Sequence, residues 1–163
     1  MVYDQGGAPA LRGRANGAGH PQRAAADEAA DVAALACELW PEHTAEEMTK
    51  EYEELLSSGE AAVFLYRKDG RPAGFAQCQL RYDYVEGTET SPVGYLEGVC
   101  VKGTDRRQGI ARELVSACVR WAKDRGCTEF ASDCELTNTE SQAFHRAIGF
   151  EEMNRIVAYA RKI

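Results

Sequence analysis

The sequence lacks any apolar run near the roughly 18 residues that cross a bilayer, and its first residues lack the apolar stretch of a secretory leader, so no membrane partner is expected and the location read from sequence is cytoplasmic. Histidine is scarce: His20, His43 and His145 stand far apart, with no spacing that gathers metal ligands, so no metal is expected. The six cysteines include no Cys-x-x-Cys pair, and several fall in segments that read as strand interiors, which suits reduced, buried thiols rather than a disulfide framework. A basic surplus is also missing. The net charge is −7, and residues 1–25 set only Asp4 against Arg12, Arg14 and Arg23, so the remainder is more acidic still. Such a surface repels nucleic acid. Those first 25 residues hold almost no large apolar side chain and are rich in Gly, Ala, Pro and Arg, so they read as a flexible tail, with one folded domain over 26–163.

Within the domain, Val32, Leu35, Ala36 and Leu39 recur at helical spacing until Pro41 stops them. Thr44 and Glu47 have the spacing of a capping box, and Met48, Tyr52 and Leu55 carry a second apolar stripe to Gly59. Residues 61–67 and 72–82 read as strands joined through Asp69-Gly70, a hairpin signal. A polar loop spans 83–93. Then come a strand over 95–101, a helix ending at Gly126, a strand over 128–133, a helix opening at Asn138 and a closing strand over 156–161. That order implies an α/β (α+β) fold, a mixed sheet around a central parallel pair with helices on both faces.

The stretch YLEGVCVKGTDRRQGIAR, residues 95–112, joins a buried strand to a helix through a tight basic loop. A helix start leaves N–H groups without intrahelical partners and adds positive dipole, so an anion is favoured there. Gly109 lets the backbone approach a phosphate closely, and Ala111 keeps the next turn slim.

Arg106-x-x-Gly109-x-Ala111 after a strand resembles the pyrophosphate-binding loop of the GNAT superfamily of N-acetyltransferases. With Leu96-Glu97-Gly98-Val99, Ala131-Ser132-Asp133, Asn138 and His145-Arg146-Ala147-Ile148-Gly149-Phe150, the chain over roughly 31–163 is similar to the aminoglycoside 6'-N-acetyltransferases of that superfamily. The resemblance implies the GNAT acyltransferase fold, acetyl-CoA as co-substrate, an aminoglycoside as acceptor, a homodimer, and transfer by direct attack of the 6'-amine in a ternary complex. It assigns the cofactor to Val99, Cys100, Val101, Arg106, Arg107, Gln108, Gly109, Ile110, Ala111, Arg112 and Asn138. Members of the family usually begin with a strand leading into the first helix, and no convincing equivalent is legible here.

For the acceptor, Glu97 and Asp133 stand out as carboxylates within apolar strands, where burial calls for a compensating partner. The resemblance makes that partner the substrate ammonium, with either acid as a base through water; ion pairing with an arginine is the alternative. Trp40 and Tyr84 match aromatic positions that line the drug site of the resembling enzymes, although Trp40 also fits the end of a core stripe. His145 occupies the place where many GNAT enzymes carry a tyrosine that protonates the leaving thiolate; it could donate that proton or hold the cofactor or a carbonyl. Asn138 reads equally as a plain N-cap. Two other functions remain open: a GNAT enzyme for another amine, such as a polyamine or a protein N-terminus, and a non-catalytic acyl-CoA-binding module.

Overall fold

Five strands form one sheet in sequence order, β1 (Pro21–Arg23), β2 (Ala61–Lys68), β3 (Arg71–Arg81), β4 (Val93–Val101) and β5 (Phe130–Ala131), in a computed structural model that describes residues 19–163. The first three pairings are antiparallel and β4–β5 is parallel. Helices α1 (Ala29–Leu39) and α2 (Ala45–Ser57) cover one face, and α3 (Ile110–Asp124) with α4 (Thr139–Ala147) covers the other.

Local chemistry explains each element. Val32, Leu35 and Ala36 of α1 are buried against Val63, Leu65 and Phe75, and Trp40 closes the helix before Pro41. Both halves of the capping box form at α2: Thr44 Oγ1 accepts from the Glu47 N–H (3.2 Å) and Glu47 Oε2 from the Thr44 N–H (3.0 Å). On α3, Ile110, Leu114, Cys118 and Trp121 form the stripe that packs on Ala62, Ala76, Cys78 and Leu96. The β2–β3 turn puts Asp69 (φ 50°) and Gly70 (φ 78°) in left-handed conformations, as a two-residue hairpin requires. Phe75 is fully buried between Trp40 and Tyr52, with ring centroids 6.3 Å away in each case, so Phe75→Ala should cost roughly 3–5 kcal/mol.

One irregularity organises β4. Gln77 pairs with Gly98 and Cys78 with Leu96, leaving Glu97 as the extra residue of a β-bulge. The alternation flips there. Leu96 joins the α3 side of the core, and so do Val99 and Val101 beyond the bulge, while Cys100 faces α1.

Three expectations need correction. The segment read as tail contains β1: Pro21, Gln22 and Arg23 pair with Tyr66, Leu65 and Phe64, and the Ala24 N–H continues the ladder to Val63 O at 2.8 Å. Residues 1–18 of that tail lie outside the described residues. The strand expected over 128–133 shrinks to Phe130–Ala131, because β4 and β5 stay within pairing distance only at Gly94–Phe130 and Tyr95–Ala131 before they part. The closing strand at 156–161 does not form; no described strand pairs with it, and Ile156, Val157 and Tyr159 are 70%, 75% and 92% exposed. The parallel pair is therefore at the margin of the described sheet rather than its centre.

Candidate active site

The β4-to-α3 connection is, as expected, a tight loop that opens directly into a helix. A 3-10 turn at Gly103–Asp105 leads to Arg106 in extended backbone, then Arg107 (φ 62°) and Gly109 (φ 82°) are left-handed, and Gly109 caps α3. Among the described residues, no backbone acceptor takes the N–H groups from Arg107 to Arg112. These donors lie at the positive end of α3, and nothing lies within 4 Å of a Cβ built at Gly109. Arg106 is exposed but turns its Nε back to Val101 O (3.1 Å) and so supports the loop.

Where β5 ends, the flank of β4 beyond Leu96 is left unpaired by strand. Ser132 Oγ bridges the parting strands by donating to Leu96 O at 3.3 Å. The backbone of Val99, Cys100 and Val101 lies on this open flank, as a peptide-like pantetheine arm added as a strand requires.

A cleft of about 880 Å³ opens beside this point, lined among others by Arg81, Tyr84, Tyr95, Ser132, Asp133 and His145. The two carboxylates singled out from sequence differ in their place and partners: Asp133 lines the cleft and Glu97 lies behind Arg81. Glu97 is neutralised by Arg81, whose Nη2 lies 2.8 and 3.0 Å from its two carboxylate oxygens. The same guanidinium stacks on the Tyr95 ring, 3.4 Å from its centroid. Asp133 has no cationic partner among the described residues; it accepts a hydrogen bond from Tyr95 OH. Burial first, then the Asp133 contact, pushes the Tyr95 phenol above its ordinary range, so it stays a donor.

His145 is held at both nitrogens. Nδ1 is 2.8 Å from Ser141 O, one helical turn back, and Nε2 is 3.0 Å from Ser132 Oγ. A carbonyl only accepts, so Nδ1 carries a proton; Ser132 has one hydroxyl proton to give, either to Leu96 O or to Nε2 of the neutral ring, and it accepts from Nε2 when the ring is charged. Phe144 and Phe150 pack edge-on against the ring at 5.9 and 5.2 Å. Asn138 is an N-cap, its Oδ1 accepting from the Ser141 N–H at 2.9 Å, which leaves its amide Nδ2 as a donor.

The polar loop forms the cleft's other wall. Glu129 accepts from the N–H groups of Glu89 (3.0 Å) and Thr90 (2.7 Å), and Glu86 accepts from Asn154 Nδ2 at 2.7 Å. Tyr84 is 79% exposed on this wall and donates to Glu86 at 3.0 Å. Trp40 is not brought to it: its ring lies against Gly98, where a Cβ would meet it at 2.8 Å, and it lines a separate cavity of about 220 Å³ with Met48, Tyr52 and Gln77.

The description "Acetyltransferase (GNAT) family" matches residues 30–150 of this chain. The chain belongs to the GNAT acetyltransferase family. An aminoglycoside N(6')-acetyltransferase type 1 of Serratia marcescens is 43% identical over 131 residues, covering 80% of this chain and 90% of that protein. One from Stenotrophomonas maltophilia is 44% identical over 133 residues, covering 81% and 86%. Among solved structures, aminoglycoside N-acetyltransferase AAC(6')-Iy in complex with CoA superposes with a TM-score of 0.87 at 35% identity, covering 95% of this chain and 100% of that one. The same enzyme in complex with the bisubstrate analogue CoA-S-monomethyl-acetylneamine gives 0.86 at 36% identity, covering 90% and 99%.

For a GNAT chain, the residues missed by sequence reasoning are Arg81, Tyr95 and Ser132. Arginine as a partner of Glu97 was one of the two readings of that carboxylate, but which arginine depends on strand register across the loop. Tyr95 sits two residues before Glu97 and would share its face in an unbroken strand. It shares that face here too, since Arg81 meets both, so alternation places the Tyr95 ring but does not show that its hydroxyl reaches Asp133 beyond the end of β5.

Proposed function

We propose that this protein transfers the acetyl group of acetyl-CoA to the 6'-amine of aminoglycoside antibiotics, removing a charge the drug uses on RNA and so conferring resistance. The observation that carries the reading is Asp133, a carboxylate without a cationic partner among the described residues, in the cleft that opens where the flank of β4 becomes free.

The N–H groups of residues 107–112 receive the diphosphate, the backbone of Val99 to Val101 the pantetheine arm, and Asn138 Nδ2 donates to that arm. Asp133 takes the acceptor's ammonium and its proton, directly or through one water. The neutral amine then attacks the thioester carbonyl, the C–N bond forms, the C–S bond breaks, and the thiolate takes a proton from His145 or from the product ammonium. Tyr84 offers a ring face to the polycationic sugar, while Glu97 acts through Arg81. Trp40 serves as a backing for Gly98 and the bulge.

A CoA-release assay with kanamycin, tobramycin, spermine and peptide amines tests this, with turnover expected for the two drugs. Equal activity on an analogue carrying a 6'-hydroxyl would overturn the regiochemistry, and preference for spermine or peptide the acceptor class.

The assembly we propose is a homodimer in the cytoplasm. Met153, Ile156, Val157 and Tyr159 leave apolar area exposed on one arm, which a second copy would cover. The free thiols suit a reducing compartment, and no described helix is long and apolar enough to cross a membrane. Light scattering should give twice the chain mass, and a variant ending at Glu152 should be monomeric; a monomeric full chain rejects the proposal.

A further inference from the structure

Asp105 is the one charged residue of the described core, with its side chain 1% exposed. It ends the 3-10 turn that precedes the phosphate loop, and its partners come from the tip of the β2–β3 hairpin. Arg71 grips it with both terminal nitrogens, at 2.8 and 2.9 Å, and Lys68 Nζ lies 3.3 Å away. Lys68 and Arg71 face each other across the hairpin, where two like charges repel unless an anion stands between them. Lys68 reaches further: its Nζ donates to Gln108 Oε1 at 2.8 Å.

The hairpin tip therefore holds the loop at residue 105 and again at residue 108. Between these anchors sits Arg107 at φ 62°, a conformation that a residue with a Cβ disfavours and keeps only where its surroundings impose it. Without that turn, the N–H groups from Arg107 onward would not converge. We propose that Asp105, clamped by Arg71 and Lys68, is a positioning residue that shapes the diphosphate loop before the cofactor arrives, with Lys68 acting through Gln108. The proposal rests on the reading of this loop as the acetyl-CoA cradle. Neither hairpin residue needs to touch the cofactor.

Pre-organisation of this kind shows as affinity that is lost when the loop is freed. Lys68 is 29% exposed and Arg71 still covers Asp105 in its absence, so Lys68→Met should fold with a melting temperature near the parent's. Titration calorimetry should show it binding CoA about tenfold more weakly, and dephospho-CoA weakened by the same factor, while the acceptor KM stays within about twofold. Arg71→Met should do at least as much, with Arg71→Lys recovering part of the loss. In a cycle with Gln108→Leu, the two effects should be non-additive because they share one hydrogen bond. Additive effects, or a loss confined to CoA and absent with dephospho-CoA, would mean that Lys68 meets a phosphate directly and would overturn the proposal. So would a fall in melting temperature with CoA affinity unchanged. Gly109→Val tests the underlying reading separately: if it binds CoA normally, the cradle lies elsewhere, whatever the hairpin variants do.

Discussion

At the scale of single residues, Asp133 of the cleft and Glu97 behind Arg81 take unequal parts. Asp133 is free to accept an ammonium, so Asp133→Asn should lower kcat/KM for the drug more than tenfold, about 1.4 kcal/mol, with CoA affinity unchanged in calorimetry. Glu97→Gln should act differently, by unmasking the Arg81 charge at the cleft wall and raising the acceptor KM. Adding Arg81→Gln should then recover part of that rise; a double variant no better than Glu97→Gln alone would assign Glu97 a direct contact. Asp105 gives a pH prediction. Its Arg71 hydrogen bonds hold its carboxyl well below the usual carboxylate range, so its contribution is fully present above the unfolded value of 3.8 and is lost as pH falls below it. Thermal melts from pH 7 to pH 2.5 should show a flatter acid limb for Arg71→Met than for the parent. The acids were legible because a carboxylate in an apolar strand demands an explanation. Their partners were not, since the pairing of Arg81 with Glu97 and of Tyr95 with Asp133 is set by strand register and by where β5 ends, which composition does not reveal.

At the scale of elements, helices were read better than strands. The stripes of α1, α2 and α3 and the capping box of α2 are local signals, complete within one stretch of sequence. Pro-Gln-Arg carries no such signal: β1 is three residues long, has one neighbour, and needs no apolar alternation at the margin of a sheet, where proline is tolerated. Its ladder to β2 makes it a structural element all the same. A variant beginning at Ala26 should therefore melt several degrees lower and aggregate, because it strips the β2 edge. Unchanged melting temperature, solubility and kanamycin turnover would return the segment to the status of a tail. The closing strand failed in the opposite way. The apolar run from Ile156 to Ala160 is real, but a strand also needs an edge to join, and none among the described residues receives it.

Across the whole molecule, the order of elements up to α4 and the helices on both faces were implied by sequence, as was the tight loop that opens α3. The unequal cleft was not, because it is assembled from β3, β4, β5 and the loop 83–92 only after folding. The bulge at Glu97 carries one more consequence. Because a single surplus residue turns Val99 and Val101 toward α3, the inside and outside of β4 are fixed by a count as much as by chemistry. Removing one residue between Leu96 and Val99 would only restore plain alternation, with Val99 and Val101 still toward α3, whereas adding one with the bulge kept would rotate the rest of the strand by half a turn, presenting Cys100 to α3 and Val101 to α1. Engineered libraries and grafted segments in this stretch must therefore not gain length, and Gly98, where a Cβ would meet the Trp40 ring at 2.8 Å, must stay glycine.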